Sequence, residues 1–234
     1  MTANPIFCAL DTTDVEKATH LAGALHGAVG GIKLGLEFFT AHGPEGIRRV
    51  AGAMPLFLDL KLHDIPNTVA GAVRAIAPLG AAMTTIHASG GVAMMKAAAE
   101  AAKEAAAQSG GKRPALLGVT ILTSIDEAAL AHIGINGPVN AAAQRLAAMA
   151  QESGLDGAVC SPLEVVTLRK LCGPDFKLVV PGIRPAGSAT DDQARIMAPK
   201  QALDAGADVL VIGRPITGAA DPAAAARLIA ESLQ

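Results

Sequence analysis

Short apolar runs with β-strand character recur along this chain, and alanine-rich stretches with helical character lie between them. The alternation occurs eight times, which predicts eight successive βα units. The predicted strands are Ile6–Asp11, Gly31–Leu36, Leu56–Leu62, Met83–Ala88, Ala115–Leu122, Gly157–Ser161, Lys177–Pro181 and Asp208–Gly213. The predicted helices are Val15–His26, Glu37–Ala51, Pro66 to about Ala77, Val92–Gln108, Pro138 to about Ser153 after a long connection from Thr123, Pro162–Leu171, Pro199–Ala205 and Pro222–Leu233. In a chain of 234 residues, this pattern is typical of a (β/α)₈ TIM barrel.

An open, doubly wound α/β sheet is the alternative fold for alternating strands and helices. That fold commonly binds dinucleotides through G-x-G-x-x-G after a strand, with an acidic residue downstream. No predicted strand of this chain is followed by that motif. No linker, charge run or low-complexity segment divides the sequence, so residues 1–234 are predicted to form a single barrel domain.

The composition argues against several classes of partner. The net charge is −2, and aromatic residues make up 2% of the chain, with neither Tyr nor Trp. Nucleic-acid binding needs clustered positive charge and stacking side chains, so it is not expected. The apolar runs are shorter than the ~18 residues that a membrane-spanning helix needs. The N-terminus lacks the basic flank and long apolar core of a secretory signal, so a cytoplasmic protein without membrane association is expected.

The cysteines and histidines do not predict a metal site. Cys8, Cys160 and Cys172 are odd in number and share no metal-type spacing, so buried free thiols are expected. His63 and His87 could suggest zinc, but they do not form a ligand-spaced set. We interpret both histidines as groups that pack beside a site.

The segment Leu56–Leu62 combines a strong apolar strand signal with ionisable residues. Its leucines alternate with other residues, so in a strand they face one side while Asp59 and Lys61 face the other. Asp64 and Thr68 follow within a turn that opens the next helix. Taken alone, this segment could carry an ion pair with a purely structural role.

Other polar residues also fall near the ends of predicted strands, where a barrel gathers its active-site groups. Asp11 ends the first strand, Lys33 lies in the second, His87 ends the fourth and Thr123 follows the fifth. Because the carboxyl ends of all strands meet at one mouth, these side chains are expected to converge there with those of the third strand. The convergence favours a site over an isolated ion pair.

Two glycine-arginine turns follow the last two strands, at Val180–Pro185 and Val211–Ile216. Many barrels bind phosphate at this position. Glycine lets a backbone N–H approach an oxyanion, and arginine adds a planar fork of donors. Arg184, Gly213 and Arg214 are therefore predicted phosphate ligands; the alternative is that these are tight turns with solvent-facing arginines.

The polar segment Ile183–Pro199 is long for a βα loop. Long loops over a barrel mouth often act as lids. We expect such a lid here, with Gln193 able to reach a ligand.

Together these motifs resemble the orotidine 5′-phosphate decarboxylase family. The matching residues are D-x-K-x-x-D-I-P-N-T at Asp59–Thr68, Asp11, K-L-G at Lys33–Gly35, L-T-S at Leu122–Ser124, and the two glycine-arginine turns. The D-x-K-x-x-D pattern alone is shared with related sugar-phosphate synthases and decarboxylases. The I-P-N-T extension and the paired turns indicate the nucleotide enzyme.

The resemblance implies a barrel of the ribulose-phosphate-binding type that converts orotidine 5′-monophosphate to UMP and CO₂ without metal or organic cofactor. It implies that Lys61 protonates C6 of the pyrimidine and that Asp59 faces the substrate carboxylate. It also implies a homodimer in which Asp64 and Thr68 enter the neighbouring subunit's site. Lys33 and that Asp64 would complete an alternating charge network.

The remaining roles implied by the resemblance concern substrate binding. Asp11 and Lys33 would hold ribose hydroxyls, and Thr123 would contact the pyrimidine edge. The phosphate ligands would be Arg184, Gln193, Gly213 and Arg214, with Gln193 bridging to the base.

Two other functions fit part of the pattern. A metal-dependent sugar-phosphate enzyme of the same superfamily would place acids such as Asp11 and Asp64 around Mg²⁺, which prefers oxygen ligands. A non-catalytic nucleotide-binding barrel would bind UMP without turnover.

Overall fold

The computed structural model describes residues 4–185 and 196–233. Within them, parallel strands close into a barrel in sequence order, and the first strand pairs with both the second and the last. The strands are β1 (Ile6–Ala9), β2 (Gly31–Gly35), β3 (Leu56–Leu62), β4 (Met83–His87), β5 (Ala115–Val119), β6 (Gly157–Val159), β7 (Lys177–Val180) and β8 (Val209–Ile212). The predicted (β/α)₈ barrel is confirmed, and the open doubly wound sheet is wrong.

Helices follow the strands around the outside of the barrel. They are α1 (Val15–Leu25), α2 (Leu36–Ala51), α3 (Pro66–Ile76), α4 (Gly91–Ser109), α5 (Glu127–His132), α6 (Val139–Glu152), α7 (Val165–Cys172), α8 (Pro199–Asp204), α9 (Arg214–Thr217) and α10 (Pro222–Glu231). Short 3₁₀ turns lie at Ala77–Leu79, Ala88–Gly90 and Pro162–Glu164.

The structure corrects three details of the predicted elements. Most predicted strands run up to three residues past the observed ends, because the residues at the barrel rim belong to loops. The connection after Thr123 contains α5, whose N-cap Asp126 accepts a hydrogen bond from the Ala129 N–H. The second predicted helix is kinked, because Gly43 has φ 58° and the proline that follows it lacks an N–H.

Side chains of the strands divide between two apolar layers. Ile6, Cys8 and Leu58 pack in the layer between the sheet and the helices. Phe7 and Phe57 pack inside the barrel, together with Ala9, Met83, Leu117, Val179 and Val211. The β3 leucines pack in the outer layer, whereas Asp59 lines a cavity inside the barrel. Their predicted separation onto opposite faces of the strand is therefore confirmed.

The cysteines lie in this apolar interior. Cys8, Cys160 and Cys172 are buried free thiols, as predicted. Burial raises the pKa of Cys8 to about 12 and also raises the pKa of Cys160 and Cys172. All three thiols are therefore protonated at neutral pH.

Two aspartates tie strands together at the amino-terminal end of the barrel. Asp156, just before β6, accepts a hydrogen bond from the Leu116 N–H of β5 at 2.7 Å and pairs in bidentate fashion with Arg113. Asp208, just before β8, accepts from the Leu178 N–H of β7 at 2.7 Å and pairs with Arg169. Each carboxylate thus satisfies a strand N–H that has no ladder partner at the barrel end.

Replacing Asp156 by alanine is expected to destabilise the barrel without touching the mouth. The loss of charge-assisted hydrogen bonds should lower the free energy of unfolding by about 2–4 kcal/mol and the melting temperature by roughly 5–12 °C. Thermal denaturation followed by circular dichroism measures this. The control is Asp175→Ala, an exposed carboxylate just before β7. A melting temperature unchanged relative to that control would contradict the role of Asp156.

Across residues 4–185 and 196–233, no helix has both the length and the apolar character needed to cross a bilayer.

Candidate active site

A cavity of about 500 Å³ opens at the carboxyl ends of the strands. Its size suits a small-molecule ligand. Most of the predicted site residues line it, namely Asp11, Lys33, Asp59, Lys61, Thr123, Arg184, Gly213 and Arg214. Residues far apart in sequence are therefore brought to one mouth, as expected for a barrel.

Four of these side chains form an alternating charge network. Lys61 Nζ lies 2.7 Å from Asp59 Oδ2, and Lys33 Nζ lies 3.8 Å from the same oxygen. Lys33 also donates a hydrogen bond to Asp11 Oδ1 at 3.2 Å. The charge network thus runs Asp11–Lys33–Asp59–Lys61, and its central carboxylate is buried.

Asp59 is ionised within the charge network. Burial alone would raise the pKa of Asp59, because desolvation disfavours the charged form. The positive charges of Lys33 and Lys61, with hydrogen bonds from Lys61 and Thr85, outweigh burial and lower the pKa below its ordinary value of 3.8. Asp59 therefore carries a negative charge at neutral pH, a point that the sequence leaves open.

The backbone is irregular where β3 presents Lys61. Leu58 pairs with Thr84, yet Leu62 pairs with Ile86, so β3 advances four residues while β4 advances two. Lys61 has φ 51°, in a region that non-glycine residues rarely adopt, and its N–H donates to Thr85 Oγ1 at 2.9 Å. The extra residues form a bulge, a feature found often beside active sites.

The rest of the cavity lining combines an apolar wall with the two glycine-arginine turns. Val119, Ile121 and Val159 contribute apolar surface. Arg184 is buried, whereas Arg214 is exposed at the start of α9, a short helix that was not predicted. Gly213 is the N-cap residue of α9. The cavity therefore presents cationic groups from two neighbouring loops to one ligand.

A model of the "Orotidine 5'-phosphate decarboxylase / HUMPS family" matches residues 4–229. The chain belongs to this family. It is 59% identical over 230 residues to the orotidine 5′-phosphate decarboxylase of Paramagnetospirillum magneticum, an alignment that covers 97% of this chain and 98% of that protein. It is 58% identical to that of Rhodospirillum rubrum, with 98% of this chain and 94% of that protein covered.

Among solved structures, this member of the orotidine 5′-phosphate decarboxylase / HUMPS family resembles the decarboxylase of Lactobacillus acidophilus. The TM-score is 0.87 at 39% identity, and the alignment covers 99% of both chains. The family resemblance inferred from the sequence motifs is therefore confirmed.

Two predicted site residues, Asp64 and Thr68, do not line the cavity of their own chain. Asp64 and Thr68 are exposed, outside the cavity, and Asp64 Oδ1 accepts the Ile65 N–H at 2.6 Å. Gln193 lies outside the described residues, as does most of the predicted lid. The roles of all three in this family member remain predictions.

His63 and His87 pack against each other beside the charge network. Their ring centroids are 5.3 Å apart, with an interplanar angle of 40°. Burial first, and then the charges of His63 and Lys61, lower the pKa of His87, which is therefore neutral at neutral pH.

Within the described parts of the chain, no group of three His, Cys, Asp or Glu side chains could hold a metal ion.

The sequence did not identify Thr85, which contacts both Asp59 and Lys61. Only its spacing could have indicated a role: Thr85 lies two residues before His87, so both side chains are on the same face of β4. A threonine in an apolar strand has no chemical signature of its own, so this signal is weak.

Proposed function

We propose that this protein decarboxylates orotidine 5′-monophosphate to UMP and CO₂, without a metal or organic cofactor, in pyrimidine biosynthesis. One observation carries the proposal: a single cavity contains both the charge network and the two glycine-arginine turns. A nucleotide with a reacting carboxylate at one end and a phosphate at the other fits that arrangement. Relatives 58–59% identical are named as enzymes of this activity.

Departure of CO₂ leaves an electron pair at C6 of the pyrimidine, where no π system can delocalise it. Stabilisation must then be electrostatic, from a charge already in place. In our proposal the Lys61 ammonium, held by Asp59 at 2.7 Å, lies toward C6, stabilises the developing carbanion and donates the proton. The C6–CO₂ bond breaks, its electron pair stays on C6, and the lysine proton forms the new C–H bond.

Asp59 would face the substrate carboxylate and repel it until CO₂ leaves. At ~4 Å and an effective dielectric near 20, this repulsion is on the order of 4 kcal/mol, or about three decades in rate. Enzymes lower barriers by roughly 8–23 kcal/mol, so repulsion supplies only a fraction. The rest must come from Lys61 and from phosphate binding energy realised in the transition state.

The ultraviolet absorbance change of orotidine 5′-monophosphate, followed with the protein in excess chelator, tests the proposal directly. We expect conversion to UMP at an undiminished rate, because no step in the mechanism uses a metal ion. Turnover that chelator abolishes and Mg²⁺ restores would favour a metal-dependent enzyme. UMP binding without turnover would establish a nucleotide-binding barrel.

We further propose a homodimer in which Asp64 and Thr68 complete the neighbouring subunit's site. The support is that residues 63–68 are all exposed, and that Ile65, an apolar residue, is 67% exposed between polar neighbours. A second copy covering this segment would bury Ile65. The same contact would bring the adjacent Asp64 to the cavity of the second copy.

Mixing two inactive variants tests the shared site. Lys61→Ala and Asp64→Asn should each be nearly inactive, yet co-refolding them in equal amounts should restore about a quarter of wild-type activity. Half of the dimers are then hybrids, and each hybrid has one site with both defects and one with neither. If Asp64 serves its own chain, every site keeps one defect and no activity returns.

A further inference from the structure

Thr85 connects the two residues that the proposed mechanism needs most. It is completely buried on β4. Its hydroxyl donates a hydrogen bond to Asp59 Oδ1 at 2.9 Å and accepts one from the Lys61 backbone N–H, also at 2.9 Å. One side chain therefore contacts the carboxylate of Asp59 and the backbone of Lys61.

The bulge in β3 explains why such a contact is needed. A regular parallel ladder would give the Lys61 N–H a backbone carbonyl of β4, but two extra residues in β3 shift the register there. Lys61 is also the one described non-glycine residue with positive φ, a conformation that persists only when its surroundings hold it. The Thr85 hydroxyl satisfies the displaced N–H and so holds this conformation.

The hydroxyl also fixes the Asp59 carboxylate. A hydroxyl has one proton, and Thr85 gives it to Oδ1, while Lys61 Nζ donates to Oδ2 at 2.7 Å. With a donor on each oxygen, the carboxylate plane cannot rotate without breaking a hydrogen bond. Thr85 on the neighbouring strand β4 therefore fixes the orientation of the Asp59–Lys61 ion pair.

We propose that Thr85 is a positioning residue for decarboxylation, which holds Asp59 and Lys61 in their reactive arrangement through its hydroxyl group. The inference rests on the proposed function. It assigns Thr85 no contact with substrate.

The test compares Thr85→Val with Thr84→Val, two replacements of similar shape that each remove one buried hydroxyl. Thr84 is also completely buried on β4, but its hydroxyl donates to the Leu58 carbonyl at 2.8 Å. We expect kcat for Thr85→Val to fall roughly 10- to 100-fold, as for loss of a hydrogen bond to a charged group. UMP affinity should stay close to wild type, and Thr84→Val should keep wild-type kcat.

Thr85→Ser and Thr85→Ala provide a second comparison, which serves if the valine variant does not fold. Both lack the methyl group, and only serine keeps the hydroxyl. Serine should restore most of kcat and alanine should not. Equal kcat in these two variants, or an unchanged kcat in Thr85→Val, overturns the role of Thr85 while wild-type turnover still supports the function. A wild-type protein that does not convert the nucleotide overturns both.

Discussion

Replacing Lys61 by alanine is expected to abolish turnover while nucleotide binding survives. In the proposed mechanism, the variant lacks both the charge that stabilises the C6 carbanion and the acid that protonates it. General acids contribute about 10²–10⁴-fold and an electrostatic donor about 10²–10³-fold, so kcat should fall by at least about four orders of magnitude. UMP lacks the reacting carboxylate, and its affinity, measured by titration calorimetry, should change little.

A matched lysine distinguishes this effect from a general loss of charge. Lys103 on α4 is exposed and pairs with Glu100 at 3.5 Å, so Lys103→Ala removes the same charge from the surface. That variant should keep wild-type kcat. Activity of Lys61→Ala above roughly one hundredth of wild type would exclude Lys61 as the essential acid, because less than two decades would then depend on it.

Replacing Arg214 by alanine should lower kcat/KM strongly, although its predicted partner is the phosphate and not the reacting carbon. Two charge-assisted hydrogen bonds of about 1.5–3 kcal/mol each correspond to a loss of roughly 10²–10⁴-fold. Because binding energy from a remote group can stabilise the transition state, part of this loss should appear in kcat. Steady-state kinetics with orotidine 5′-monophosphate measure both parameters.

Orotidine, which lacks the phosphate, provides the internal control for Arg214. Wild type and Arg214→Ala should convert this nucleoside at the same slow rate, because orotidine offers Arg214 no phosphate to bind. Arg227→Ala removes an exposed arginine from α10 and should leave kcat/KM unchanged with the nucleotide. A defect in Arg214→Ala that is equally large with orotidine would mean that Arg214 does not act through the phosphate.

Much of the site follows from strand periodicity and from the rule that barrels gather functional groups at strand ends. The alternation in β3 places Asp59 inside the barrel and the leucines outside, as the structure has them. Strand order brings Asp11, Lys33 and Arg214 to the same cavity, since the carboxyl ends of all strands meet there.

Features that depend on pairing between strands could not be predicted. The bulge that gives Lys61 its positive φ arises from the register of β3 on β4, which no local pattern encodes. Thr84 and Thr85 are adjacent and chemically identical, and only the register decides which hydroxyl meets Asp59. The proposed sharing of Asp64 with a second chain follows from the family resemblance, and no residue pattern within one chain predicts it.

The two apolar layers have a consequence for how this protein tolerates change. Successive strand residues face different layers, so one position packs against the helices and the next packs inside the barrel. At helix-facing positions such as Cys8 and Leu58, a change in side-chain volume can be offset by a complementary change in the neighbouring helix. Phe57 lines the cavity, so a change in its volume would also change the shape of the candidate site. A search for thermostable variants that keep full activity therefore begins in the outer layer.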